Sequence, residues 1–69
     1  MSEIVFLVEE DPDGGLTARA LGESISTQAD DLEALKDAVR DAVRGHFEDE
    51  GSRPRVIRLH SVRDEVIAL

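Results

Sequence analysis

The chain has no cysteine, tryptophan or tyrosine, and only two prolines and two phenylalanines. Without cysteine, neither disulfides nor thiolate zinc sites can reinforce the fold. With Phe6 and Phe47 the only aromatics beyond two histidines, there is no platform on which successive bases could stack. No long apolar run is present. The longest near the start, Ile4 to Val8, spans five residues behind Glu3, far short of a membrane span and without the basic flank of an export signal. It is expected to be a buried strand, and the chain a cytoplasmic protein with no membrane partner. Glycine-rich phosphate loops are also missing, because Gly14 and Gly15 precede a strand rather than a helix.

Basic residues are scarce in one half only. Residues 1–35 carry nine acids against Arg19, whereas residues 36–69 balance seven acids with seven bases, giving a net charge of −8. An acidic half repels phosphate backbones, so nucleic-acid binding by this chain alone is not expected. The same charge steers association with a basic protein, besides conferring solubility. At 69 residues there is room for one domain, residues 1–69, whose core is marginal. Oligomerisation is the remedy left open to it, as a dimer or tetramer.

Glu3 to Glu9 is short, β-branched and apolar on both faces, as in a central strand. Glu10 to Gly15 combines Pro12 with aspartates and paired glycines, the strongest turn signal in the chain. Leu16–Ala20 alternates apolar and polar residues. Leu21 to Glu23 makes a tight connection, and Ser24 to Gln28 places Ile25 and Thr27 on one face. A helix is expected from about Asp31 to about Phe47. Asp30 or Asp31 can cap it, and Asp30 with Glu33 has the capping-box spacing. Leu32, Leu35, Val39, Ala42, Val43 and Phe47 form its apolar stripe, flanked by Ala38 and His46. Pairs three residues apart, such as Asp37 with Arg40, keep the opposite face solvated. Gly51 and Pro54 end this region, and Arg55 to Ser61 reads as a fourth strand. The final residues Val66, Ile67 and Leu69 are too apolar to be left in water. They are expected to form a fifth short strand or an oligomer contact.

The order is therefore β-β-β-α-β. It predicts an α+β domain, a three-stranded antiparallel meander plus a strand after the helix parallel to the first. No nucleophile lies in a local pattern with His46 or His60. His46 is expected to pack, partly buried, at the helix end, and His60 to lie on the more open sheet face. Acids cluster at Glu9, Glu10, Asp11 and Asp13 and again at Asp30 and Asp31, where turn and cap chemistry account for them. An enzymatic alternative would require Asp11, Asp13 or Asp30 to hold Mg²⁺ or Mn²⁺. The chain is expected not to be an enzyme and to bind no cofactor.

Gly14 to Gly22, Ser24 to Glu33, the helix through His46 and Phe47, Pro54 to His60 and Val62 to Val66 occur in an order that resembles the HicB antitoxin family, in its short freestanding members. The resemblance spans nearly the whole chain. It implies a partial ribonuclease-H-like fold without the catalytic acids. Full-length members bind and block a small basic RNA-cleaving toxin and bind their operator through a separate C-terminal module. Operator binding is not expected here, since the sequence stops before such a module. The Pro-Gly segment found in the family between the second and third strands is replaced by Leu21, Gly22 and Glu23. The resulting expectation is an acidic protein-binding domain, an antitoxin for a basic toxin or a structural or adaptor homo-oligomer without one. Its candidate contacts are Glu9, Glu10, Asp11, Asp13, Asp30 and Asp31 for the partner, and Val66, Ile67 and Leu69 for self-association.

Overall fold

A computed structural model describes residues 2–69. Its elements are β1 (Glu3–Glu10), β2 (Leu16–Ala20), β3 (Ser26–Ala29), α1 (Leu32–His46) and β4 (Val56–Val62). The strands form one mixed sheet in the order β3-β2-β1-β4. β1 is antiparallel to β2, β2 antiparallel to β3, and β1 parallel to β4. This is the expected α+β meander with a returning parallel strand.

β1 is central because its alternation serves two surfaces. Ile4, Phe6 and Val8 are buried, while Val5 and Leu7 are half-buried on the opposite face. Across the helix side they join Ala18, Ala20, Ile25, Leu35, Val39 and Val43 in a single core, in which Phe6 and Leu35 have no solvent exposure. Small residues on β2 let the helix approach, and α1 packs closest on β2 and β3. A helix is about 10 Å wide and strands stand about 4.8 Å apart, so one helix covers roughly two strands. Ile57 and Leu59 of β4, on the same side, are therefore only half-buried. Arg58 on the other side of β4 is hydrogen-bonded to Glu3, which holds the guanidinium pKa above its ordinary value.

Several local expectations need correction. β3 begins at Ser26 rather than Ser24, and Ile25 is buried beside it, its carbonyl accepting from the Ala20 amide at 2.9 Å. Asp31 is the helix cap, its carboxylate accepting from the Ala34 amide at 2.8 Å, which puts Glu33 out of phase for a capping box with Asp30. Leu32 stands 43 % exposed, since the first turn overhangs the sheet's end. Phe47 is the C-cap. His46 is exposed rather than partly buried. It lies 3.3 Å from Glu23 and edge-on to the Phe47 ring at 4.8 Å, tying the helix end to the β2–β3 connection. His60 is exposed on the open face, paired in register with Leu7.

Residues 63–69 form no strand and no helix, so the tail is not a fifth strand of its own sheet. Val66 is 96 % and Ile67 85 % exposed, and Leu69 is fully open. The radius of gyration is 13.4 Å, against about 11 Å for a compact chain of this length, and the extents are 52 × 20 × 18 Å. The tail projects from the domain.

The core's small size makes each member costly to lose. Leu35→Ala is expected to destabilise the fold by about 2–5 kcal/mol, as a urea-unfolding midpoint shift at constant slope. Leu32→Ala is expected to cost under about 1 kcal/mol in the same assay, because that side chain is already open to water.

Candidate functional site

The β1–β2 turn and the β3–α1 connection meet at one end of the sheet. Register explains why: Glu10 pairs with Leu16, and Leu16 pairs with Ala29, so the residues after β1 and after β3 emerge side by side. Asp11, Asp13 and Asp30 line a shared depression of about 540 Å³, floored by Leu16, Ala29 and Ala34. Glu9 and Glu10 end the neighbouring strand, and Asp31 opens the helix. All six acids expected to contact a partner therefore fall at this one end. Asp11 is half-buried and the other five are exposed.

Two of these carboxylates have structural work. Asp11 accepts from the Asp13 amide at 2.8 Å, and its backbone closes the turn through bonds with Gly14 and Gly15 at 2.9 and 3.0 Å. Asp31 satisfies an orphan amide of the first helical turn. Glu9, Glu10, Asp13 and Asp30 make no side-chain hydrogen bond among the described residues. All four are exposed to solvent. Among the described residues, no group of three or more His, Cys, Asp or Glu side chains is arranged to hold a metal ion. No helix of the described chain is long and apolar enough to cross a membrane.

Gly15 fixes how closely the two connections approach. Its φ is +84°, and a Cβ there would lie 2.8 Å from the Ala29 carbonyl oxygen. Gly14 shares the positive φ, at +103°, but faces open space. The tight approach puts Asp11, Asp13 and Asp30 around one depression.

A second concavity lies between α1 and β4 and holds about 580 Å³. The turn signals and the acid count pointed to the first site. Nothing local marked this one, because its two walls are far apart in sequence and it exists only where the helix fails to reach β4.

The class defined by this geometry is a small α+β domain with an acidic end and an open groove. No family model and no solved structure matches the chain. It is 62 % identical over 53 residues to a UPF0150 protein of Archaeoglobus fulgidus, covering 77 % of each chain. It is 42 % identical over 67 residues to a UPF0150 protein of Thermotoga maritima, covering 97 % of this chain and 93 % of that one. The chain belongs to the UPF0150 family.

Gly15→Ala is expected to destabilise the domain by about 1–3 kcal/mol, through both strain and the clash with Ala29. Gly14→Ala carries strain alone and is expected to cost less. Thermal melts of the two variants compared with wild type check this ordering.

Proposed function

We propose that the chain is a non-catalytic, HicB-like protein-binding domain of antitoxin type, whose acidic end engages a small basic RNA-cleaving protein. The observation that carries this reading is the gathering of Glu9, Glu10, Asp11, Asp13, Asp30 and Asp31 at one end of the sheet. Four of these carboxylates have no side-chain hydrogen bond among the described residues. A net charge of −8 raises the encounter rate with a cationic partner, and fixed, solvated carboxylates set its orientation. The resemblance to the HicB family, whose full-length members bind such a toxin, supports the choice of partner. The central strand of that fold carries no acid between Ile4 and Val8, which favours binding over metal-assisted cleavage.

A structural or adaptor homo-oligomer is the second reading. The projecting apolar residues Val66, Ile67 and Leu69 favour it, and the two readings are compatible.

The test pairs the chain with any small basic protein encoded in an adjacent reading frame. Co-expression is expected to suppress that protein's RNA cleavage and to yield a complex that weakens steeply with salt. Asp11→Asn, Asp13→Asn and Asp30→Asn combined keep the turn's acceptors and are expected to lower the affinity about tenfold or more, chiefly through slower association. Undiminished RNA cleavage with no complex at low salt would refute the antitoxin reading.

A further inference from the structure

The groove between α1 and β4 inverts the charge of the rest of the molecule. Its rim holds Lys36, Arg40, Arg44, Arg53 and Arg55, five of the eight bases in the chain, and no acid is among its described lining residues. Its floor is apolar, made by Val39 and Val43 of the helix and Ile57 and Leu59 of the strand. Lys36, Arg40 and Arg44 have partners one turn away in Glu33, Asp37 and Asp41. Those carboxylates are 80–85 % exposed, so the pairs are worth little and do not fix the cations.

β4 is also an edge strand. Its seven residues pair with β1 on one side, and the other side leaves a row of backbone donors and acceptors without a strand neighbour. The same chain carries a segment shaped for that edge. Residues 63–69 continue β4 and, when extended, reach about 23 Å, the length of β4 itself. They alternate, with Glu65, Ile67 and Leu69 on one face and Asp64, Val66 and Ala68 on the other.

We propose that residues 63–69 dock in the α1–β4 groove of a second copy, adding a strand antiparallel to its β4, with the exchange made reciprocally about a twofold axis. Ile67 and Leu69 cover the half-buried Ile57 and Leu59 of the other copy. This is the face of the tail that buries the most apolar surface on that floor. Glu65, on the same face as Ile67 and Leu69, comes to the rim beside Lys36 and Arg40 of the other copy. A strand at the edge supplies main-chain hydrogen bonds and the two large side chains supply burial. The tail does not serve its own groove, because returning along its own β4 needs a tight turn within Val62 to Glu65. Both two-residue hairpin turns require positive φ at the first central residue, here Arg63, whose Cβ disfavours it, although Asp64 after it tolerates that conformation. The inference gives the homo-oligomer reading its contact and is independent of the acidic end.

Sedimentation equilibrium of the full chain and four samples tests it. The wild type is expected at twice the chain mass and Ile67→Asp at half that value. A tail variant (Glu65→Lys) and a groove variant (Lys36→Glu with Arg40→Glu) are each expected at a single chain mass. An equimolar mixture of these two is expected to recover the doubled mass, because each tail then meets a groove of opposite charge. Circular dichroism of each sample establishes that it is folded, and the charge variants alter only surface residues. A wild type that stays monomeric at every concentration overturns both the assembly and the contact. A wild-type dimer whose mass survives Ile67→Asp and both charge variants, or whose charge variants stay single when mixed, overturns the contact while leaving an assembly by another surface.

Discussion

A single helix of fifteen residues must cover a sheet of four strands, and it is too narrow to do so. Everything distinctive about the molecule follows from that mismatch. The helix settles over β2 and β3, where Ala18 and Ala20 let it close on Phe6. β4 is then held by its parallel pairing with β1 and by the edge of the core, and Ile57 and Leu59 remain partly open. A shorter sheet would have no groove, and a second helix would fill it. The fold is stable enough to exist and incomplete enough to have surfaces left over.

The charge distribution follows the same geometry. Because the end of β1, the end of β3 and the helix start converge on one end of the sheet, six of the nine acids of the first half gather there. The bases of the helix's outer edge and of the link before β4 line the opposite wall of the groove. Sequence composition alone gives an acidic protein. The fold separates it into an acidic end and a basic cleft, two surfaces suited to different partners.

Much of this was legible in the residues. The element order, the two-faced apolar character of the central strand and the turn at Pro12 to Gly15 follow from periodicity and glycine placement. So does the capping of the helix near Asp30 and Asp31, since short polar side chains at a helix start have few other roles. The acidic end was legible as two separate clusters, and only strand pairing could join them. The misreadings are of context. Leu32 fits the apolar stripe but stays open to water in the helix's first turn, and His46 fits it too but meets Glu23 and Phe47 instead of the core. The groove was invisible because its walls, around Val39 and Leu59, are brought together by the crossover and not by any local pattern.

Hydrogen exchange of the backbone amides from Val56 to Leu69, followed as protein concentration is raised, tests most directly whether the uncovered strand and the projecting tail complete each other. Alternate amides of β4 and of residues 64–69 should slow together as concentration rises, because both would become paired strands in the same event. Rapid exchange throughout residues 64–69, independent of concentration, would contradict the account.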